Sequence, residues 1–115
     1  MQGLGRGGNM LVEFSIIPLG KGPSVGDDVA RVLKIVDESG LRYALNPMGT
    51  VVEGRWDEVM ALIKKCHKKV LSGSERVVTA IKIDDRKKHR NMIEQKIASV
   101  EKRLNRRLNK QGSAR

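Results

Sequence analysis

The stretch SGLRYALNPMGTVVEG, from Ser39 to Gly54, decides the fold. It contains two short segments of strand-like composition, 42–47 and 50–55, which are joined through Pro47-Met48-Gly49. Proline and glycine favour tight turns, and a glycine is available there for a positive φ. The stretch therefore predicts a β-hairpin, and the patterns on either side of it place that hairpin between two helices.

The flanking segments repeat apolar residues at helical spacing. Before the hairpin, Ser24 is a good N-cap for a predicted helix over 25–39, and Gly40 suits its C-terminal cap. After the hairpin, acidic residues at 57–58 open a second predicted helix, which ends at Gly73. The apolar stripes comprise Val25, Val29, Val32, Leu33 and Val36 in the first helix, and Val59, Leu62, Ile63, Cys66 and Val70 in the second.

A strand is predicted outside each helix, at 11–19 (LVEFSIIPL) and at 75–84 (ERVVTAIKID). Pro18 has no N–H to donate, so it should end the first strand or lie at an edge. A third helix is predicted over 91–108. The order predicts an α+β fold, a ferredoxin-like βαββαβ two-layer sandwich. It has a four-stranded antiparallel sheet, two helices on one face and an extra C-terminal helix.

The composition predicts one domain and a cytoplasmic protein. We expect a flexible leader at 1–9, a single domain over 10–110 and a disordered tail at 111–115. The one cysteine, Cys66, excludes an internal disulfide framework and favours a reducing compartment. No stretch reaches the roughly 18 consecutive apolar residues of a membrane helix, so no membrane association is expected.

The net charge of +10 suggests a nucleic-acid partner, but its distribution argues against a basic domain. Residues 86–115 carry a net charge of +9, whereas residues 1–85 carry +1. A solvated basic helix with a frayed tail explains this distribution. The alternative function is a nucleic-acid accessory protein that uses the C-terminal helix, but with three aromatic residues in the chain a stacking platform is poorly supplied.

The sheet face opposite the helices is predicted to meet another copy of the chain. On the expected alternation the helix-facing set is Val12, Phe14, Ile16, Val77, Ile81 and Ile83, and the open face carries Glu13, Ser15, Ile17, Val78, Ala80 and Lys82. That open face is half apolar, and the third helix has no obvious place on its own chain. Both features predict a homo-oligomer. In the alternative, the third helix covers the open face and completes a monomer.

The residues predict no catalytic or metal site. Cys66 and His67 are adjacent on a helix and point roughly 100° apart, so they do not form a nucleophile–base pair. We expect a buried Cys66 and a solvent-facing His67. Asp84 and Asp85 point to opposite sides of a strand, so a metal site there is not expected. No phosphate-binding loop follows a predicted strand, and we expect no enzyme activity and no cofactor.

A small-molecule site is predicted where the open face meets the hairpin. Hydroxyl, amide and carboxylate groups above an apolar floor suit a ligand pocket. The contributing residues are Glu13 and Ser15 from the first strand, Lys82 from the fourth, and Asn46, Met48, Gly49, Thr50 and Glu53 from the hairpin. In the alternative, these groups only close the turn and satisfy the ends of the strands.

Four stretches together resemble one known family. They are EFSIIPLGKGPSV (13–25), SGLRYALNPMGTVVEG (39–54), WDEVMALIKKCHK (56–68) and RVVTAIKIDDR (76–86). In this order they are similar to the thiamine-binding, YkoF-like family of small ferredoxin-like proteins. The early S-I-x-P-x-G and the hairpin N-P-M-G-T-x-x-E-G are specific as a pair, and the resemblance covers about residues 11–100.

The resemblance implies a non-catalytic protein that binds thiamine or its hydroxymethylpyrimidine part at an interface between the sheets of two subunits. It also implies a homotetramer built as a dimer of dimers. Carried onto this chain, the implied pocket uses Ser15, Pro18, Asn46, Met48, Gly49, Thr50 and Glu53. The family often has a small polar residue where Asn46 stands and an aromatic residue near Asp28, and the basic extension after Val100 lies outside the resemblance.

Overall fold

A computed structural model describes residues 9–20, 26–87 and 92–110. The elements occur in the predicted order, which confirms the ferredoxin-like class. They are β1 (Met10–Leu19), α1 (Gly26–Glu38), β2 (Arg42–Asn46), β3 (Gly49–Gly54), α2 (Trp56–Leu71), β4 (Arg76–Asp85) and α3 (Met92–Leu104). The predictions for residues 1–8 and 111–115 lie outside the described residues.

The sheet has the strand order β2-β3-β1-β4, and its neighbouring strands are antiparallel. The central strand β1 pairs with β3 only from Met10 to Phe14, but with β4 from Met10 to Leu19. Beyond Phe14, β1 therefore has a described strand on one side only. Pro18 lies in this part of β1, in agreement with the prediction that it lies at an edge.

The register confirms the predicted division of the sheet into two faces. Val12 is opposite Val52 on β3 and Ile83 on β4, and directly opposed residues share a face. Helices α1 and α2 cover this face and form the core with it. The buried core comprises Met10, Val12, Phe14, Val32, Val36, Val52, Val59, Leu62, Ile63, Cys66 and Val70. Towards the outer strand the cover is incomplete, because Ile81 and Ile83 stay 41% and 38% exposed.

The hairpin differs from its prediction in one detail. Its loop contains two residues, Pro47 and Met48, and Gly49 is the first residue of β3. Gly49 has no positive φ, so the expected reason for a glycine is wrong. The actual reason is space, because a Cβ at Gly49 would lie 3.0 Å from the Phe14 carbonyl oxygen. A backbone atom at that distance cannot move away cheaply, so glycine lets β3 approach β1.

The first turn of α3 lies against the open sheet face. Met92 is buried, and the Ile93 N–H donates to Glu53 Oε1 over 3.3 Å. Ion pairs between Arg42 and Glu94, and between Lys96 and Asp84, join α3 to the sheet. The prediction that the third helix finds no place on its own chain is therefore wrong for this turn. The apolar stripe of α3 begins at Met92, which packs on the open sheet face near Glu53 of β3.

The second half of α3 makes no comparable contact with the sheet. The helix ends at Leu104, four residues before the predicted boundary, and Asn105 has a φ of 53°. Val100 and Leu104 are exposed. After the helix, the Leu108 N–H donates to Glu101 Oε2 over 2.8 Å, and this hydrogen bond lowers the pKa of Glu101. The apolar stripe of α3 is thus buried at its start and uncovered at its end.

Truncating Ile63 tests the core between α2 and the sheet. Ile63 is 3% exposed, so Ile63→Ala should lower the free energy of unfolding by about 2–5 kcal/mol through lost burial and a residual cavity. The measurement is urea denaturation followed by circular dichroism. Leu71→Ala is the control, since Leu71 lies on the same helix and is 41% exposed. An equal loss in both variants would contradict the assignment of the core.

Candidate functional site

A cavity of about 210 Å³ lies at the end of the hairpin, beside the part of β1 that extends past Phe14. Because β3 stops at that point, the sheet leaves a gap that α1 covers from one side. Three elements contribute to the wall. It comprises Phe14, Ser15, Ile16, Ile17 and Pro18 from β1, Asp28, Val29, Val32 and Leu33 from α1, and Leu45, Asn46, Pro47, Met48, Gly49 and Thr50 from the hairpin. The wall is mostly apolar with a few polar groups, as in many small-molecule pockets.

Asn46 also has a structural role in the turn. Its side-chain oxygen accepts a hydrogen bond from the Met48 N–H over 2.9 Å, which closes the hairpin loop. The side-chain NH₂ remains a potential donor for a ligand. The two interpretations of Asn46, turn closure and ligand contact, are therefore compatible within one residue.

Asp28 is a charged residue in the cavity wall that the sequence interpretation missed. It is 5% exposed and accepts a hydrogen bond from Arg31 Nη1 over 3.3 Å. Its signal was present, because Asp28, Val32 and Val36 recur every four residues on the buried side of α1. Asp28 also lies in the first turn of α1, where the helix dipole favours an acid, so its place in the sequence alone has a simpler explanation. A carboxylate on the apolar stripe instead indicates a polar group directed into the protein.

The structure brings together six of the eight predicted ligand residues. Ser15, Pro18, Asn46, Met48, Gly49 and Thr50 all line the cavity. Lys82 lies beside the cavity, in a depression of about 220 Å³ on the open sheet face that Glu13 also lines. Phe14, Ser15 and Met48 belong to the walls of both. The cavity and the depression thus meet at these three residues.

Glu53 lies apart from this group. It is opposite Leu11 near the far end of β3 and is 2% exposed beneath the first turn of α3. One oxygen accepts the Ile93 N–H, while Oε2 is buried with no hydrogen-bond partner among the described residues. In this arrangement Glu53 holds α3 against the sheet.

The candidate nucleophile and base are not arranged for catalysis. Cys66 is fully buried, as predicted, and burial raises the pKa of its thiol to about 11. His67 is half-buried rather than solvent-facing, and its Nδ1 lies 2.6 Å from Thr79 Oγ1. Asp84 and Asp85 lie on opposite faces, as expected. Among the described residues there is no cluster of three potential metal ligands and no helix that could span a membrane.

The fold and the cavity define a ferredoxin-like sandwich with a small, mostly apolar recess at the end of its hairpin. The chain belongs to the thiamine-binding protein family, whose sequence model matches residues 12–101. It is 42% identical over 91 residues to a UPF0045 protein of Methanocaldococcus jannaschii, with 79% of this chain and 91% of the relative covered. It is 39% identical to the UPF0045 protein YqgV of Bacillus subtilis, with 82% and 96% covered.

Solved structures share this fold. The Methanocaldococcus protein superposes with a TM-score of 0.75 at 41% identity, covering 80% of this chain and 95% of that one. A Thermotoga maritima protein, assigned provisionally to thiamine biosynthesis or salvage, superposes with a TM-score of 0.69 at 23% identity, covering 80% and 98%. The second comparison supports the fold alone.

The buried thiol predicts a measurable reactivity. Cys66 should react slowly with a disulfide reagent at neutral pH, because a pKa of about 11 leaves little thiolate and the side chain is enclosed. Following the reaction with Ellman's reagent with and without denaturant tests this. The rate should rise sharply on unfolding, and rapid native-state reaction at pH 7 would contradict the burial.

Proposed function

We propose that the protein binds the aminopyrimidine part of thiamine, free or within the vitamin, in the hairpin cavity and does not transform it. The observation that carries the proposal is the convergence of both sequence signatures at one recess. Ser15 and Pro18 come from the first signature and 46–50 from the second, and a buried carboxylate, Asp28, completes the wall.

The polar groups suit that ring. An aminopyrimidine presents ring nitrogens that accept hydrogen bonds and an exocyclic amine that donates them. The hydroxyls of Ser15 and Thr50 and the amide of Asn46 supply donors, and the Asp28 carboxylate supplies an acceptor. The positive thiazolium of intact thiamine would also be favoured near this carboxylate. Met48 adds an adaptable apolar contact.

The size of the cavity favours a single ring within one subunit. At about 210 Å³ it is smaller than the roughly 300–1,000 Å³ of pockets that enclose drug-sized ligands. Met48 at its rim is 85% exposed. A second copy of the chain at this rim would enlarge and close the site, as a ligand at a subunit interface requires.

We further propose that the protein is a homo-oligomer, a dimer of dimers. The support is apolar surface that α3 leaves uncovered. Ile17 and Val78 lie opposite each other on the open face and are 50% and 45% exposed. Long β4 is the last strand of the sheet, and exposed sheet surfaces of this kind are usually paired or covered.

The absence of catalysis also stays a proposal. It rests on the chemistry of the residues described: Cys66 is held as a thiol in the core, and the cavity wall contains neither cysteine nor histidine. The carboxylate, hydroxyls and amide in the wall are able to bind a heterocycle by hydrogen bonds. They do not form a nucleophile–base pair of the usual kind. The cytoplasmic location predicted from the single cysteine likewise stays a prediction.

Titration calorimetry tests the ligand. Hydroxymethylpyrimidine and thiamine should both give saturable heat, and Asp28→Asn should weaken binding by about 1.5–3 kcal/mol because a charged hydrogen-bond acceptor is lost. The control is Asp37→Asn, which changes an exposed carboxylate on the same helix. Absence of heat with the pyrimidine, thiamine and its phosphates would remove the proposal, as would equal effects of the two substitutions.

Light scattering at micromolar protein tests the assembly. We expect the wild type to have the mass of a multimer, and Val78→Glu to reduce it, because a charge on the covered face would be desolvated on association. Leu71→Glu serves as the control, since Leu71 is similarly exposed but lies on α2. A monomeric wild type would refute the assembly.

A further inference from the structure

A broad groove of about 570 Å³ runs along the outer surface of α1 and α2, away from the hairpin cavity. Both helices contribute to its wall. The lining comprises Arg31, Lys34, Ile35 and Glu38 from α1, Lys65, Lys68 and Lys69 from α2, and Ser72 at the C-cap of α2. Five of these eight residues are basic and one is acidic, although residues 1–85 together carry a net charge of only +1.

Most of this positive charge is not paired with an acid in the part of the chain that the structure describes. Arg31 pairs with Asp28 over 3.3 Å. Among the described residues, no ion pair joins the four lysines of the groove to an acid, and Glu38 is the only carboxylate in the wall. Like charges from two helices therefore face one shared space and repel each other, and an anion in that space would relieve the repulsion.

Capping of the helix dipole accounts for only part of the cluster. Lys68 and Lys69 lie in the last turn of α2, where cations are favourable. Lys65 is more than one turn from that end, and Lys34 belongs to the other helix. Their position in the groove needs a different explanation.

We propose that the α1–α2 groove binds the sugar–phosphate backbone of a nucleic-acid duplex. Residues 65–71 of α2 extend along the groove for roughly 9 Å at the rise of an α-helix, which is enough to contact more than one phosphate. Among the described residues, the wall contains no aromatic side chain for stacking on bases and no Asn or Gln for reading the edge of adenine. Its basic side chains are four lysines and Arg31, which already pairs with Asp28, so the proposed contact is electrostatic and directed at phosphates. The net charge of +10 attracts the polyanion.

This site differs from the basic extension after Arg86 that the sequence suggests for such a role. Helices α1 and α2 cover one face of the sheet, whereas the first turn of α3 lies against the other. The groove and the hairpin cavity have no lining residue in common. Arg31 is left unchanged in the experiment below, because it pairs with Asp28 in the cavity wall.

Fluorescence anisotropy with a short, labelled DNA duplex of mixed sequence tests the proposal on the full chain. Binding should weaken steeply between about 50 and 200 mM salt. In the double variant Lys34→Gln/Lys68→Gln, Kd should rise about tenfold or more at the lower salt. The slope of log Kd against log salt should fall by about two, because each lysine that contacts a phosphate contributes about one.

The matched control is Lys64→Gln/Lys102→Gln, which removes the same charge from outside the groove, on α2 and on α3. It should retain the wild-type Kd and slope, and circular dichroism should show both double variants folded. Equal losses in the two variants, or no binding by the wild type at 50 mM salt, would overturn the proposal. Complete displacement of the duplex by inorganic tripolyphosphate at the same phosphate concentration would assign the groove to a free polyphosphate instead.

Discussion

The unequal pairing of the central strand is the constraint on which the site depends. β1 has β4 beside it over its whole length, but β3 beside it only as far as Phe14. A Cβ on Gly49 would lie 3.0 Å from the carbonyl oxygen of Phe14, at the point where the hairpin turns and leaves a gap in the sheet. Residues 28–33 of α1 cover the gap from one side. Longer pairing by β3 would fill the cavity with backbone.

The fold could be predicted because local patterns and topology agree. The apolar repeats of α1 and α2, the alternation in β1 and β4, and the hairpin between them allow few arrangements. The ends of elements were less predictable. α3 stops at Leu104 although its apolar spacing continues to Leu108, because no described sheet or helix surface covers its second half. Apolar periodicity shows that a helix could bury one face, but it does not show whether another element of the protein covers that face.

From the sequence, the site could be predicted only for residues that are close together along the chain. Residues 46–50 are close in sequence, so their common location follows from the turn. Glu53 is three residues beyond Thr50, which places it on the other face and nearer the far end of the sheet. Alternation along β3 accounts for the change of face, but the position of Glu53 beneath α3 depends on how that helix packs on the sheet, which the sequence pattern does not reveal. Asp28 was missed for a different reason. It recurs at four-residue spacing with Val32 and Val36 on the buried side of α1, but the predicted stripe was followed through apolar residues only.

The attachment of α3 by one end implies a gradient of local stability. Its first two turns have a buried methionine, a hydrogen bond from the Ile93 N–H to Glu53 and two ion pairs, whereas Val100 and Leu104 are 42% and 53% exposed. Fraying from the carboxyl end thus exposes little additional apolar area and costs little free energy. Amide protons near Leu104 should exchange with solvent long before those of β1. The end of α3 near Glu53 should stay attached to the sheet while the other end opens.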